Sequence, residues 1–356
     1  MWGFILDKKS SKAVLVGIAG SNNAFSLSIY NLKAFAYNDP AIRDQWDISI
    51  IQHPLINVNR KDIEILPLIN RIVNAKPNLV GFSCYMWNVN VFGEIAQTLR
   101  KRIPKVKIMW GGSEMSSDYL AQGKFDKLEM DFCVSGEGEV TFQEFLRNQA
   151  FGVPGLSSIS GLAYRQSTAE PFKINPKREA LARLHDVPSP FLTGVVDDEV
   201  LLRPKVEANI ETQRGCNLRC SYCTYHKDMD KITYSSLERV VNEVVYLVNK
   251  GVRRVRFVDA NFSSDLNYSK EIIRAFIQKR FELRLMFELI PGFFDEELAA
   301  LFEEFSNLHP WNDITLGVGV QSIKLETNKA MRRGIKIEKF DQTFELIKKH
   351  NLFAKI

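Results

Sequence analysis

The chain has 356 residues, of which 45% are hydrophobic and 25% charged, so it can bury the cores of two globular domains and is not intrinsically disordered. Its 47 basic and 42 acidic residues leave a net charge of +5, and the basic pairs are scattered, which argues against a nucleic-acid partner. No apolar run approaches the roughly 20 residues of a membrane-spanning helix, and the first apolar stretch is too short for a secretion signal. We therefore expect a cytoplasmic protein without a membrane partner, in which thiols stay reduced.

Over residues 1–150, five apolar segments of strand length alternate with segments of helical period. The strand segments are KAVLVGIAG, WDISIIQHP, NLVGFSCY, KVKIMWGG and DFCVSG. Such uniformly apolar strands, separated so regularly by helices, predict a parallel sheet covered on both faces, that is, a doubly wound α/β domain of the flavodoxin or Rossmann type. Ligands of such domains bind at the carboxyl ends of the strands. Polar residues and glycines collect there, at 21–23, 83–88, 111–114 and 136–139.

The pattern changes over residues 151–205, where GVPGLSSISGLAYR predicts one short strand pair and HDVPSPF a proline-stiffened connection. From residue 206 the alternation resumes with the strands VEANIETQ, VRRVRFVDA, LRLMFELIP and DITLGVGVQ. The last residues, NLFAKI, have the pattern of a fifth strand. We therefore expect a domain over 1–150, a linker with short strands over 151–205, and a (β/α) domain over 206–356 that is incomplete at its carboxyl end.

Three of the five cysteines lie close together in QRGCNLRCSYCTYH, directly after a predicted strand. Cys216, Cys220 and Cys223 could bind zinc with His226 as the fourth ligand, or two of them could form a disulfide. Thiolates also hold iron–sulfur clusters. Three cysteines on a four-iron cluster leave one iron open to an external ligand, which suits a catalytic site, and a loop at the carboxyl end of a strand is where βα units bind ligands.

The segment RGCNLRCSYC resembles the cluster loop of the radical S-adenosylmethionine (SAM) enzymes. This resemblance implies a partial (β/α) barrel and a 4Fe-4S cluster whose open iron binds SAM and whose electron cleaves it to a 5′-deoxyadenosyl radical. It places Tyr222 near the adenine and Asp259 at the amino group, with Glu288, Gln321 and Ser322 at the ribose and carboxylate. Asp259 could instead cap the following segment, and Gln321 could satisfy the backbone.

The amino-terminal half resembles the cobalamin-binding domain that precedes the barrel in one branch of this family. The matching segments are LVGFSCYMWN, IMWGGSEMSSD and DFCVSGEGEVTF. The cobalamin contacts implied by the resemblance are Ser83, Tyr85, Trp87, Asn88, Gly111, Gly112, Gly136 and Glu137. The D-x-H-x-x-G loop of cobalamin mutases would fall at GSNNAFS, which has no histidine, so we expect no axial imidazole from this chain. A flavodoxin-like domain without cobalamin shares the same pattern.

The resemblance implies a cobalamin-dependent radical methyltransferase that acts on an unactivated centre of a small-molecule or peptide substrate and receives electrons from a flavodoxin or ferredoxin. A radical cyclase or rearrangement enzyme, and a non-catalytic iron–sulfur module, are the alternatives. A methylthiotransferase is disfavoured because its amino-terminal domain needs a second set of cluster cysteines, for which Cys84 and Cys133 are too few.

Overall fold

The computed structural model describes residues 11–20, 23–54 and 61–356. They divide after Glu179 into two compact units. The predicted boundary lay in a linker over 151–205, whereas the structure assigns the first part of that segment to the first unit, because its two short strands extend the first sheet. No helix in the described ranges is long and apolar enough to cross a membrane.

The first unit contains a seven-stranded sheet in the order β2-β1-β3-β4-β5-β6-β7. Its strands are β1 (Ser11–Ile18), β2 (Trp46–His53), β3 (Leu79–Ser83), β4 (Lys107–Gly111), β5 (Phe132–Val134), β6 (Leu162–Tyr164) and β7 (Lys173–Ile174). Strands β1 to β5 are parallel, and β6 and β7 add an antiparallel edge. The order 2-1-3-4-5 is that of flavodoxin-like domains, and it confirms the predicted doubly wound fold. The chain reverses direction across the sheet between β1 and β3, so ligands are expected at the ends of these two strands.

The helices of the first unit are α1 (Leu27–Tyr37), α2 (Pro40–Gln45), α3 (Lys61–Asn74), α4 (Val89–Arg102), α5 (Ser117–Ala121) and α6 (Glu139–Phe151). Strand β1 is buried from Ala13 onward, as a central strand covered on both faces must be. Phe82 of β3 stacks on Phe92 of α4 with ring centroids 4.7 Å apart, and Trp110 of β4 meets Phe82 edge to face. These contacts hold α4, and the loop that leads into it, against the end of β3.

The second unit contains a five-stranded parallel sheet in the order β14-β13-β12-β11-β8 and a separate antiparallel pair, β9-β10. Its strands are β8 (Ala208–Ile210), β9 (Gln213–Arg214), β10 (Thr233–Tyr234), β11 (Arg254–Phe257), β12 (Arg284–Leu289), β13 (Asp313–Val318) and β14 (Phe353–Lys355). Its helices are α7 (Asp198–Leu201), α8 (Leu237–Asn249), α9 (Leu266–Gln278), α10 (Glu296–Asn307), α11 (Leu325–Ala330) and α12 (Ile337–Lys349). The predicted fifth strand is β14, which pairs with β13.

The strands of the second sheet bury one face and leave the other partly open. Along β12, residues 285, 287 and 289 are buried, whereas 284, 286 and 288 are only half-buried. Phe287 stacks between Phe257 of β11 and Phe302 of α10, with centroid distances of 4.6 and 5.2 Å. The buried face therefore packs on the helices, and the half-buried residues, including Glu288, lie on the opposite face of the sheet.

Candidate functional site

The cysteine loop leaves the second sheet at the end of β8 and returns through the β9-β10 pair. Gly215 begins the loop with φ +111°, and a Cβ at this position would lie 2.6 Å from the carbonyl oxygen of Lys231. Only glycine fits such a close approach of two backbone segments. All three cysteines that follow are free thiols: Cys220 is buried, and Cys216 and Cys223 are half-buried.

Hydrogen bonds within the loop fix its shape. The backbone N–H of Leu218 donates to Sγ of Cys216 at 3.4 Å, and the guanidinium of Arg219 donates to three carbonyl groups at 2.5–3.1 Å. Burial raises the pKa of the Cys216 thiol, and the Leu218 N–H opposes this rise. Nε2 of His226 lies 2.8 Å from the carbonyl oxygen of Cys220, so this nitrogen is used by the backbone instead of completing a zinc site with the thiols. Across the described residues, no three Cys, His, Asp or Glu side chains form a ready site for a bare metal ion.

Two buried side chains at the end of β11 anchor the loop to neighbouring strands. Asp259 is 1% exposed and accepts hydrogen bonds from Thr212 N and Oγ1 and from Gln213 N, at 2.7–3.0 Å. Asn261 is fully buried, and its amide donates to Asn217 in the loop and accepts from the backbone N–H of residue 290. The structure thus uses both oxygens of Asp259 to join the ends of β8 and β11, whereas the sequence predicted a contact with the SAM amino group. Burial raises the pKa of Asp259 to about 7, against the opposing effect of its three donors.

Arg333 is a site residue that the sequence analysis missed. It lies between α11 and α12, is 6% exposed, and donates from Nη1 to Tyr222 Oη at 3.1 Å and to Cys220 Sγ at 3.5 Å. Its Nη2 donates to the carbonyl oxygen of Gly319, at the end of β13, at 2.5 Å. The pair MRRG gives no signal that the second arginine is buried, and 113 positions separate Arg333 from Cys220. The structure therefore brings Cys220, Tyr222 and Arg333 together, while half of the Tyr222 side chain stays exposed.

The other residues predicted to contact SAM lie at the ends of β12 and β13. The Glu288 carboxylate lies over Gly317, where a Cβ would collide with it, and 3.6 Å from Nη1 of Arg256. Burial raises the pKa of Glu288, with Arg256 opposing. Gln321 is exposed with φ +62°, a left-handed conformation that is uncommon outside glycine and concentrates at functional sites. Ser322 uses its hydroxyl to accept from the backbone N–H of Lys324 at 3.1 Å.

In the first unit, an aromatic pair lies at the predicted ligand edge between β1 and β3. The rings of Tyr85 and Trp87 stack with centroids 4.5 Å apart and planes 2° from parallel. Trp87 donates from Nε1 to the carbonyl oxygen of Ile18, the last residue of β1, at 3.3 Å. Trp87 is 49% exposed, and Met86 beside it is 79% exposed. A flat, exposed apolar surface of this kind on a strand edge fits a large planar ligand such as a corrin.

Two other residues predicted at this edge are structural. Asn88 is 1% exposed, and its amide bonds to the carbonyl oxygens of Ile18 and Ser83 and to the backbone N–H of Tyr85. Gly112 has φ +108°, and a Cβ would collide with the backbone of Cys84. Asn88 is therefore turned into the protein and not toward a corrin, and Gly112 is required by the adjacent loop.

The remaining predicted cobalamin contacts lie at or just after the carboxyl ends of β3, β4 and β5. Ser83 bonds to the hydroxyl of Ser28 at 2.8 Å, a Cβ at Gly111 would meet Val134 at 3.6 Å, and Gly136 has φ +74°. Glu137 is buried. The loop GSNNAFS, which has no histidine, spans residues 20–26. Its residues 21 and 22 lie outside the described part of the chain. His53 ends β2, and its Nδ1 lies 2.8 Å from the carbonyl oxygen of Pro54.

The side chains present fit both predicted cofactors. For the cluster, three thiols lie on one loop, and two of them receive N–H donors that stabilise thiolate ligands: Cys216 from Leu218 and Cys220 from Arg333. Nε of Arg333 is buried without an acceptor in the described structure, so its N–H can donate to one more negatively charged partner. For cobalamin, the exposed surface of Met86 and Trp87 adjoins strand ends that are rich in glycine and hydroxyl groups.

Comparison with known proteins agrees with this geometry. The B12 binding domain family matches residues 41–146, and the Radical SAM superfamily matches residues 210–355. The cobalamin-dependent radical SAM methyltransferase TokK of Streptomyces tokunonensis is 28% identical over 73% of the chain, and 2-(S-pantetheinyl)-carbapenam-3-carboxylate methyltransferase of Streptantibioticus cattleyicolor is 27% identical over 70%. The chain spans only 38% and 35% of the lengths of these two relatives.

The fold is shared with a solved radical SAM methyltransferase, TsrM from Kitasatospora setae. The TM-score is 0.71 at 19% identity, and the match covers 97% of this chain and 67% of TsrM. The two family matches fall one in each compact unit and in the order that the sequence predicts. The chain thus contains a B12-binding domain within residues 41–146 and, after it, a radical SAM domain within residues 210–355.

Proposed function

We propose that this chain is the cofactor-binding part of a cobalamin-dependent radical SAM methyltransferase. The observation that carries the proposal is the loop with three free thiols at the carboxyl end of the second sheet, in one chain with a flavodoxin-like domain whose ligand edge presents Met86 and Trp87. A loop with three thiols leaves one iron of a four-iron cluster for an external ligand. Two relatives with methyltransferase names, each matched over 70% or more of this chain, support methyl transfer as the reaction.

Each residue of the cluster site has a distinct task in this proposal. Cys216, Cys220 and Cys223 hold the 4Fe-4S cluster, and when bound, the cluster supplies the electron that cleaves SAM. Tyr222 offers an exposed ring beside the loop on which the adenine can pack. Glu288 lies on the partly open face of the second sheet, where its carboxylate can accept hydrogen bonds from ribose hydroxyls.

Just after the carboxyl end of β13, Gln321 and Ser322 have accessible polar atoms for the carboxylate or ribose of SAM. Asp259 and Asn261 position the cysteine loop and touch no ligand in this account. The proposal thus separates residues that bind SAM from residues that hold the loop in place.

In the first unit, we propose that Tyr85, Trp87 and the strand-end glycines bind cobalamin. Cobalamin supplies the transferable methyl group of the reaction. The chain's own contribution is to hold the macrocycle on a rigid aromatic surface and to exclude water from one of its faces. Because the described residues of this edge present no imidazole apart from His53 on the outer strand β2, we expect no histidine ligand from this chain.

The substrate class we propose is a small molecule with an unactivated carbon centre, since the named reactions of the relatives include methylation of a carbapenam carboxylate. A flavodoxin or ferredoxin is proposed as the electron donor. We expect the anaerobically reconstituted protein, given dithionite and SAM, to form 5′-deoxyadenosine. The reason is that three thiolates would leave one iron of the cluster free to bind SAM. The matched control is Cys220→Ala, which removes one thiolate and should form none. A folded wild-type protein with its full iron content and no SAM cleavage would overturn the proposal.

A further inference from the structure

The guanidinium of Arg333 is the only charged group shown to donate to a cysteine sulfur in the described residues. Two of its three nitrogens are held in place: Nη1 donates to Cys220 Sγ and Tyr222 Oη, and Nη2 donates to the carbonyl oxygen of Gly319. The backbone is fixed as well, because Arg333 N donates to Asn328 O at 2.9 Å. Met331, two residues earlier, accepts from the backbone N–H of Ser221 at 2.9 Å. The segment that carries Arg333 is therefore attached directly to the cysteine loop.

The charge of Arg333 lacks a carboxylate partner within the described ranges. The ion pairs found there join other basic side chains to Asp or Glu, while the neighbours of Arg333 are a thiol, a phenol and a carbonyl group. The side chain is 6% exposed, and its Nε–H has no acceptor. A buried cation without an anion is energetically unfavourable, so negative charge at the position of the thiols would stabilise the site.

We propose that Arg333 is a positioning residue that neutralises the thiolate-bound cluster and raises its reduction potential by donating to Cys220 Sγ. This inference rests on the proposed function only in requiring that the three thiols hold a cluster. Hydrogen bonds to the ligand sulfurs and nearby charge are among the factors that set the potential of such clusters. Reduction adds one negative charge to the cluster, and a fixed cation 3.5 Å from a ligand sulfur stabilises the reduced form more than the oxidised form.

The expected effect follows from the size of a charged hydrogen bond. Such a bond is stronger than one between neutral groups, and only part of its strength differs between the two oxidation states. Loss of the Arg333 charge should therefore make one-electron reduction less favourable by about tenfold, which corresponds to a potential about 59 mV more negative. Lysine keeps the charge, but its three donors share one nitrogen and cannot reproduce the planar fork of the guanidinium, so Arg333→Lys should give a smaller shift of the same sign.

The test is a dithionite titration of the reconstituted protein, followed by the electron paramagnetic resonance signal of the reduced cluster. It is carried out without SAM, so that contacts to that ligand make no contribution. Arg333→Gln is compared with wild type and with Arg332→Gln, which removes an equal charge from the exposed neighbour with φ +53°. We expect a more negative potential for Arg333→Gln, an intermediate value for Arg333→Lys, and the wild-type value for Arg332→Gln.

Iron analysis of the same samples separates the possible failures. If wild type itself holds no cluster, the proposed function fails first. If the position-333 variants retain full iron and titrate at the wild-type potential, the cluster is present and the role of Arg333 is wrong. If Arg333→Gln loses iron, Arg333→Lys decides: full iron at the wild-type potential refutes a role for the guanidinium, whereas full iron with a negative shift supports it. Loss of iron in both variants, with unchanged thermal unfolding, would overturn the tuning role in favour of cluster retention alone.

Discussion

At the edge of the second sheet, side chains from several strand ends hold the cysteine loop, whereas at the edge of the first sheet the backbone is packed tightly and large side chains remain exposed. Asp259, Asn261 and Arg333 are all buried, and each bonds to the loop or to the strand that leads into it. In the first unit, Gly112 packs on the backbone of Cys84, while Met86 and Trp87 extend into solvent. The first arrangement fixes ligand atoms, and the second offers surface.

The difference corresponds to what each cofactor requires. Thiolate ligands must be held at defined positions around a small, charged cluster, so buried polar side chains are needed to orient the loop. A corrin is large and planar, and it gains most of its binding energy from contact area on an apolar surface. Substitutions at one edge or the other test this difference.

The largest effect is expected from Gly112→Ala. A Cβ here would collide with the backbone of Cys84, and φ +108° is unfavourable for any residue with a side chain, so we expect a loss of about 3 kcal/mol or more in the free energy of unfolding of the first unit. Gly111→Ala is the control, because its Cβ would meet its nearest atoms at 3.6 Å, an ordinary contact. Urea denaturation measures both. Equal stability of the two variants would contradict the tight packing at this edge.

The next effect concerns pH and the second edge. The pKa of Asp259 is raised from 3.8 to about 7 by burial, so between these values the folded chain binds more protons than the unfolded chain. Its contribution to the free energy of unfolding therefore falls as the pH rises from about 4 to 7, by an amount on the order of a few kcal/mol. Asp259→Asn keeps the shape and removes the titration, so the slope with pH should become flatter.

The control for this experiment is a second titrating group. His350 lies 2.6 Å from Glu303 and 2.9 Å from Glu296, and these partners raise its pKa despite the opposing effect of burial. Its stabilising effect is likewise lost as the pH rises through the raised pKa. His350→Gln should remove only that contribution. It is lost at higher pH than most of the contribution of Asp259. An Asp259→Asn variant with the wild-type slope would refute the shifted pKa.

A moderate effect is expected from Trp87→Ala, which removes half of the stacked aromatic pair. Because Trp87 is half-exposed, its loss should change the free energy of unfolding by about 1 kcal/mol or less and weaken cobalamin binding by about tenfold. Phe151→Ala is the control: Phe151 is 47% exposed and ends α6, which runs back from the ligand edge. Equilibrium binding of cobalamin, followed by absorbance, measures the affinities. Unchanged affinity in Trp87→Ala would remove this surface from the site.

The smallest effect is expected from His53→Ala. His53 lies on the outer strand β2, and β1 separates it from the end of β3. We expect the spectrum of bound cobalamin to be that of a base-off form in both wild type and variant, because we propose that no histidine of this chain ligates the cobalt. A histidine-ligated spectrum in wild type that disappears in His53→Ala would show the opposite.

Local patterns in the sequence were sufficient for the βα alternation and for the cysteine loop. The uniformly apolar strands of the first unit and the C-x3-C-x2-C spacing depend on neighbouring residues, and the structure has the predicted strands β1 to β5 and β8, β11, β12 and β13. The short pair β9-β10 was not predicted, because the run VEANIETQ was read as one strand although it leaves the sheet after Ile210. The return strand is set by the tight turn at Gly215 and by pairing with a distant segment.

The roles of individual site residues were harder to predict, because they depend on long-range contacts. Asp259 ends a strand, as a ligand-binding residue would, but its oxygens are taken by Thr212 and Gln213 across 46–47 positions. Asn88 follows the motif, yet its amide closes the gap between β1 and β3. Arg333 became visible only through the packing of its segment on the cysteine loop.

The central claim is that Cys216, Cys220 and Cys223 together hold one four-iron cluster with an open iron. Iron and acid-labile sulfide per chain, measured after anaerobic reconstitution of wild type and Cys220→Ala, test it most directly. The account predicts about four irons per chain and a broad absorbance in wild type, and loss of both in the variant. A colourless, fully folded wild-type protein with stoichiometric zinc and no iron would contradict it.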